Sequence, residues 1–264
     1  MSAHEPLIRL GVFIAVFGVM ALWEVMAPRR SQDTGRWLRW PNNLGVAVIN
    51  AVVVRVLFPS AAVGAAMIAR DHQWGLFNLL PAPRWAAAAV SVILLDLAIY
   101  GQHVAFHAVP PLWRLHRMHH ADLEFDVTTG LRFHPAEIVL SMLIKSAVVL
   151  LLGAPAVAVV IFEVVLNATA MFNHGNVRMA LPLDRLLRLI VVTPDMHRVH
   201  HSVSRRETDS NFGFSLPWWD RLFGTYRAQP ETGHEGMVIG IGQFRDPAAS
   251  RLDRLLTQPF REGS

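Results

Sequence analysis

The 264-residue chain has a hydrophobic fraction of 53% and a mean hydropathy of +0.34, values above the soluble range and typical of a membrane protein. The net charge of +4 is carried by arginine, since Lys145 is the only lysine, and many arginines flank apolar stretches, which favours membrane orientation over nucleic-acid binding. The chain has no cysteine, which excludes disulfides, thiolate zinc sites and cysteine-ligated iron–sulfur clusters. Any metal must therefore be held by nitrogen and oxygen.

The first apolar run, residues 7–27, is long enough to cross a hydrocarbon core of about 30 Å. A cleavable signal sequence is the alternative. The length of the run, the lack of a small-residue cleavage motif and the basic residues that follow it favour a span. The positive-inside rule places the four arginines between residues 29 and 39 in the cytoplasm and the N-terminus outside.

The next predicted span, residues 44–69, carries Arg55 and Pro59, so we expect a kink or a re-entrant shape. Residues 70–84 are expected to form a loop at the outer interface, where the aromatic side chains that this segment contains are favoured. From Trp85 the chain returns as one long helix.

A polar stripe runs along this helix at spacings of 4, 3 and 4 residues, made of Asp96, Tyr100, His103 and His107. The stripe must face protein rather than lipid, because an acid at membrane depth is costly. Asp96 is therefore a candidate functional residue, with a structural hydrogen-bonding role as the alternative. The stripe also predicts that an apolar substrate enters from the bilayer along this helix.

Histidines recur in groups that each project from one face of a helix, a spacing typical of metal ligands. The groups are His103 and His107; His116, His119 and His120; and His197, His200 and His201. The last group follows Thr193 and Pro194, which together predict a helix start.

The segments between the groups predict helices that place the histidines at one side of the membrane. Pro110 and Pro111 end the long helix, and residues 112–134 are too polar and too short to cross. The predicted elements that follow are a hairpin of helices 135–152 and 155–172 with a turn at 153–155, an amphipathic interfacial helix 183–190, a short strand or turn at 238–244, and a short helix 251–256. Within the hairpin, Lys145 either snorkels toward an interface or pairs with Glu163.

We predict an all-α polytopic bundle of four or five membrane segments with a cytosolic histidine-rich metal-binding cap and a cytoplasmic C-terminus. The chain is interpreted as one membrane domain, with N-terminal spans in residues 1–84, a histidine-rich core in 85–226 and a cytosolic tail in 227–264.

His174 joins the ligand set because it lies where the hairpin returns to the cytoplasmic face. His134 is either a tenth ligand or, failing that, a residue that hydrogen-bonds to a ligand or begins a helix. His4, His72 and His234 are predicted to be ordinary surface residues. Nine or ten imidazoles suit two metal ions better than one.

The histidine groups, together with DVTTGLRFHPAE at 126–137, FNHGN at 172–176 and WDRLFGT at 219–225, resemble the fatty acid hydroxylase/sterol desaturase superfamily. The resemblance implies an integral-membrane oxygenase that uses O2 and two iron ions to hydroxylate or desaturate a lipid chain, with the histidines on the cytosolic face. Where some members carry two histidines before the last group, this chain has only His174.

No flavin, haem or nicotinamide motif is recognisable, so electrons are expected from an external reductase, ferredoxin-type or cytochrome-type protein. Carboxylates and amides often accept hydrogen bonds from metal-bound histidines. The candidates for this role are Asp96, Tyr100, Asp126, Glu137, Asn176, Asp195, Asn211 and Asp220.

A zinc hydrolase is the closest alternative function, because zinc also accepts imidazoles. A metal transporter and a di-haem carrier fit less well, since the histidines lie at one face rather than through several spans.

Overall fold

The computed structural model describes residues 5–80 and 82–262, and in these ranges the protein is built from helices. The α-helices are α1 Glu5–Met26, α2 Arg36–Leu57, α3 Ala61–Asp71, α4 Leu76–Leu79, α5 Arg84–Ala108, α6 Pro110–His120, α7 Pro135–Leu152, α8 Ala156–Asn173, α9 Leu181–Leu187, α10 Pro194–His200, α11 Arg205–Thr208, α12 Trp218–Leu222, α13 Gly233–Gly236 and α14 Leu252–Thr257. Three 3-10 helices lie at Thr129–Leu131, Pro247–Ser250 and Gln258–Phe260. Extended pairing in the described ranges consists of isolated bridges, Pro28 with Val177 and Ser202 with Ile239. The predicted all-α class is confirmed.

Five helical stretches in the described residues are long and apolar enough to cross a membrane. They are Leu7–Met26, Arg36–Leu79, Arg84–Ala108, Pro135–Leu152 and Ala156–Asn173. This number agrees with the predicted four or five segments. In the bundle, α1 packs on α8, and α5 packs on both arms of the α7–α8 hairpin.

The second stretch is broken at residues 58–60, between α2 and α3, where Pro59 removes a backbone donor. The predicted kink is therefore present. After α3, Gly75 lies against Gly153 in the α7–α8 turn so closely that a Cβ on Gly75 would be 2.1 Å from the Gly153 amide nitrogen. Earlier in this stretch, Asn50 of α2 donates to the carbonyl of Phe133, just before α7 begins (2.8 Å). The part of the stretch between Asn50 and Gly75 therefore runs along α7 from its start to the turn at its end.

The hairpin contains a buried ion cluster, which confirms the predicted pairing of Lys145 with Glu163. The Lys145 ammonium lies 2.7 Å from the Glu163 carboxylate, and Arg9 of α1 contacts the same carboxylate at 2.6 Å. Charges inside an apolar bundle are costly unless they are paired. Here the pairing joins α1 to both arms of the hairpin.

A second buried ion cluster joins α2 to the loop after α6. The fully buried Arg39 donates to Asp122 at 2.7 and 2.8 Å and to Asp126 at 2.6 Å. These bonds satisfy both carboxylates and hold the pKa of Asp122 far below its usual range, because two arginines, Arg39 and Arg132, offset the cost of burial. The loop that precedes α7 is thereby fixed next to the histidines.

The C-terminal segment packs back onto the bundle. Helix α14 lies against α2, and Arg117 of α6 donates to the backbone carbonyls of Gln258 and Arg261. The predicted short helix at 251–256 is confirmed as α14. Residues 238–244 form no strand and contribute only the Ile239 bridge to Ser202, so the turn was the better alternative.

Candidate metal centre

Four helix ends bring the histidines together. His103 and His107 lie on the last two turns of α5, and His174 directly follows α8. The remaining ones lie on α6 (His116, His119 and His120) and on α10 (His197 and His200), with His201 directly after α10. Helix α10 begins as predicted, with the Thr193 hydroxyl accepting a hydrogen bond from the Met196 amide and with Pro194 at the first helical position.

Nine of the predicted histidines form two groups, and within each group one ring nitrogen per residue lies within 4.8 Å of those of the other members. The first group, called here the group of five, is His103, His107, His116, His120 and His200. The second, called here the group of four, is His119, His174, His197 and His201. All nine side chains are buried.

Hydrogen bonds at Nδ1 fix the tautomer of several of these rings. The Nδ1–H groups of His103 and His200 donate to the carbonyls of Phe212 (2.8 Å) and Ser210 (2.7 Å), and that of His174 donates to the carbonyl of Ala170 (2.7 Å). A neutral imidazole that donates through Nδ1 has its lone pair on Nε2. These rings therefore present Nε2 as an acceptor.

Carboxylates play the same part for two further members of the group of five. The Nδ1–H of His116 donates to Glu137 (2.7 Å), and that of His107 donates to Asp209 (3.3 Å). Glu137 was among the predicted partners. Carboxylate and carbonyl acceptors behind metal-bound histidines orient the ring and raise its basicity.

The lone pairs on Nε2 need a partner. The Nε2 atoms of His103, His116 and His200 are buried without a hydrogen bond. His174 Nε2 lies 3.1 Å from the Nε2 atoms of both His119 and His197. Unpaired buried acceptors are costly, and lone pairs that face one another are tolerated only with a cation or proton between them. The donor set therefore fits bound metal ions.

The protonation state agrees with this fit, because a metal ligand must be a neutral imidazole. Burial is the main cause that lowers the pKa of His200 to about 3 and that of His174 to about 4. Burial together with neighbouring imidazoles holds the pKa values of His119, His120 and His201 well below the usual range. Metal binding at neutral pH would therefore not have to displace protons from these rings.

His134 lies outside both groups. It precedes α7, where its Nδ1 accepts from the Ala136 amide and its Nε2 lies 3.2 Å from the Leu256 carbonyl. Of the roles predicted for it, the structure agrees with the helix-start residue, because its side chain caps the first turn of α7. His72 is exposed as predicted, whereas His4 lies outside the described residues. His234 is not a surface residue, because it is buried beside Asp195 and Arg198.

Most of the predicted carboxylate and amide partners do not contact a histidine of either group, which corrects that expectation. Asp195 pairs with Arg198 and Arg29, and Asp126 pairs with Arg39. The amides of Asn176 and Asn211 bond to backbone at Arg30 and Met196. These side chains stabilise the loops and helices that carry the histidines.

Asp96, Tyr100 and Asp220 belong to one structural network near α5. Asp96 accepts from the Trp219 indole (2.9 Å), and the Tyr100 hydroxyl bonds to Thr225 (2.9 Å). Asp220 accepts from the backbone amide of Phe212 (2.8 Å), the residue whose carbonyl holds His103. Asp220 therefore positions a histidine indirectly, and the structural alternative for Asp96 is the better one.

An apolar cavity of about 740 Å³ lies between α1, α2, α5, α7 and α8. It lies one residue away from both histidine groups, because Glu137, which accepts a hydrogen bond from His116, and Gly130, which lies next to His174, both line it. Its lining residues Leu10 and Val48 also face outward, so the cavity opens sideways between α1 and α2. Helix α5 contributes Ile99 and Gln102 to the lining and not Asp96 or Tyr100, so the cavity does not follow the polar stripe along which substrate entry was predicted.

The fold and site define a helical membrane protein with two buried groups of histidines that could hold metal. The profile of the fatty acid hydroxylase family matches residues 88–225, just over half of the sequence. The chain belongs to the fatty acid hydroxylase family. The five apolar helices mark it as a multi-pass membrane protein.

Named relatives act on different lipids. The chain is 27% identical over 262 residues to the ornithine lipid hydroxylase OlsE of Rhizobium tropici. The matched region covers 94% of this chain and 74% of that protein. It is 29% identical over 180 residues to the alkylglycerol monooxygenase of Homo sapiens, covering 66% of this chain and 38% of that protein. A Delta(7)-sterol-C5(6)-desaturase of Nicotiana tabacum is 28% identical over 149 residues, which cover 53% of this chain and 49% of that protein. No solved structure matches.

Proposed function

We propose that the protein is a membrane-bound di-iron oxygenase that hydroxylates or desaturates a lipid chain, using O2 and electrons from a separate donor protein. The observation that carries the proposal is the apolar, laterally open cavity whose lining residues Glu137 and Gly130 lie against members of the two histidine groups. The named relatives, a lipid hydroxylase, a monooxygenase and a desaturase, support the same class of reaction.

The two histidine groups would each hold one iron ion, the group of five through its Nε2 atoms and the group of four around His174. Iron bound by neutral imidazoles with open positions supplies the capacity to bind and reduce O2 and to oxidise an unactivated C–H bond. The protein orients the rings through Glu137, Asp209 and the carbonyls of Phe212, Ser210 and Ala170. Its contribution is a preorganised, buried donor set.

The cavity would hold the alkyl chain of the substrate. Phe133 stacks on His119 with ring centroids 4.3 Å apart, and Phe133 also lines the cavity, so a chain that reaches this ring lies one side chain away from the group of four. Apolar lining excludes water and suits a methylene chain rather than a polar substrate. The substrate class is therefore a lipid with a long alkyl or isoprenoid chain.

We place the histidine centre and the C-terminus on the cytosolic side, because the arginines that follow α1 lie at this end of the bundle. A reporter fused after Ser264 should then be active in the cytosol. Activity of this reporter only outside the membrane would overturn the orientation and leave the proposed chemistry untouched.

The reaction is tested with lipid extracts from cells that express the protein under 18O2, with His201→Ala as the inactive control. A hydroxylated product should carry 18O, and a desaturated product should form only when O2 is present. The Ala47→Trp variant, which fills the cavity away from the histidines, should lower product while metal content is kept. Product oxygen that comes from water, or equal yield without O2, would contradict the oxygenase and favour a zinc hydrolase.

A further inference from the structure

An apolar surface, called here the lip, is formed by α9, the turns after it and α12. Its side chains are 47 to 70% exposed although they are large and hydrophobic: Leu183, Leu186, Leu189, Ile190, Leu222 and Phe223. The indole of Trp218 joins the two parts of the lip by donating to the carbonyl of Leu189 (2.7 Å). Contiguous exposed apolar surface of this kind marks an interaction site.

The lip lies beside the membrane-spanning part of α5. The ring of Phe223 stacks on Tyr100 at 5.4 Å, and Trp219 donates to Asp96 at 2.9 Å. At a rise of about 1.5 Å per residue, Tyr100 and Asp96 lie roughly 12 and 18 Å from the end of α5 at Ala108. The residues of α12 that carry part of the lip are thus fixed to α5 at points about 12 to 18 Å inside its apolar length, which places the exposed side chains of the lip beside the membrane-spanning bundle.

A basic pocket of about 460 Å³ adjoins the lip. It is lined by Arg185, Arg188 and Arg221 against a single acid, Asp184, so the charged side chains sum to two positive charges. Arg188 pairs with Asp184 at 2.7 Å, yet its buried Nη2 has no hydrogen-bond partner. A buried guanidinium donor that is left unpaired in a positive pocket favours an anion, and the planar donors of arginine match a phosphate.

We propose that the lip is immersed in the lipid leaflet next to the histidine centre and that the arginine pocket binds the phosphate group of a membrane phospholipid. Apolar side chains in the acyl region with arginines at headgroup level are the arrangement by which interfacial helices bind anionic lipid. The site is separate from the cavity and the histidines, and it does not depend on the reaction proposed above.

The depth of the lip is tested with single cysteines, which the chain does not otherwise contain. Nitroxide labels at Leu186→Cys and Leu222→Cys, in protein reconstituted into phosphatidylcholine and phosphatidylglycerol nanodiscs, should collide with O2 and be shielded from a water-soluble nickel chelate. A label at Arg205→Cys, an exposed residue outside the lip, should show the reverse. Labels at the lip that are as open to the chelate as the one at Arg205 would overturn the immersion.

The phosphate site is tested by native mass spectrometry of the full chain released from the same nanodiscs. The wild type should retain a phospholipid, and Arg185→Gln/Arg221→Gln should weaken retention by about fivefold for each arginine lost. The Arg185→Lys/Arg221→Lys variant should keep part of the phospholipid retention. The Arg70→Gln/Arg251→Gln variant, which changes two exposed arginines elsewhere, should keep all of it. Equal retention by the wild type and the Gln variant, or displacement of the lipid by millimolar inorganic phosphate, would overturn a phospholipid site.

Discussion

The two histidine groups differ in how their rings are held. In the group of five, four rings donate through Nδ1 to an acceptor outside the group, two to carbonyls and two to carboxylates. In the group of four, only His174 has such a partner, and the Nδ1 atoms of His119, His197 and His201 have none. The first group is preorganised by hydrogen bonds, whereas the second depends on packing.

Packing around the group of four is aromatic. His119 stacks on Phe133, and the His201 ring lies 5.1 Å from Phe125, which is itself covered by the Arg198 guanidinium. Rings held by packing keep their place but gain none of the basicity that an Nδ1 acceptor supplies. We therefore expect the group of four to bind its metal ion less tightly than the group of five.

The largest effect is expected from removing a ligand. His200→Ala should cost the group of five its ion, and His201→Ala should cost the group of four its ion, with each variant keeping the other ion and losing activity. Metal content and turnover should be measured together. The control is the exposed His72→Ala, because His234, also predicted at the surface, is buried. Equal metal content in all three variants would contradict both groups as sites.

Gly130→Ala is expected to act on the group of four alone. An added Cβ would lie 2.7 Å from the Ala170 carbonyl and 3.1 Å from His174 Nδ1, so it would disturb the single external hydrogen bond of that group. Loss of such a partner typically lowers metal affinity by about 10- to 100-fold, and we expect the upper part of that range here.

The matched control is Gly242→Ala, because a Cβ there meets nothing within 4 Å. Competition with a graded series of chelators reports the affinity of each ion. A variant at Gly130 that instead releases the ion of the group of five would show that the two groups are not independently supported.

Glu137→Gln is expected to have the smaller effect, on the group of five. The amide can still accept from His116, but it lacks the charge that strengthens the bond, and three other rings of this group keep their acceptors. We expect an affinity loss near the lower end of the same range, about tenfold. The exposed Glu231→Gln should change nothing in the same chelator titration. A larger loss than that of Gly130→Ala would reverse the ranking of the two groups.

The contrast between the two histidine groups also explains which features of the site sequence patterns could predict. Helical spacing places His116, His119 and His120 on one face, so the convergence of histidines and most helix boundaries could be predicted. The division into five and four could not, because His119 and its neighbour His120 contribute to different groups. That division depends on how α6 is rotated against α5, α8 and α10.

Partners supplied by the backbone leave no signal in a sequence. The carbonyls of Ala170, Ser210 and Phe212 hold three histidines, and any residue type could provide them. Carboxylates near in sequence were therefore overvalued, as with Asp195, while Asp209 was missed although it lies against His107. The burial of Arg39 between Asp122 and Asp126 was missed for a related reason, since long-range ion pairs have no fixed spacing.

The central claim, that the two groups hold one ion each, is tested most directly by elemental analysis of the full-length protein purified after expression with iron. The predicted result is two iron ions per chain, of which a chelator of intermediate strength removes one first. In the His201→Ala variant this first-released ion should be missing from the outset. A content near one ion per chain that is unchanged by His201→Ala or by His200→Ala would contradict the claim.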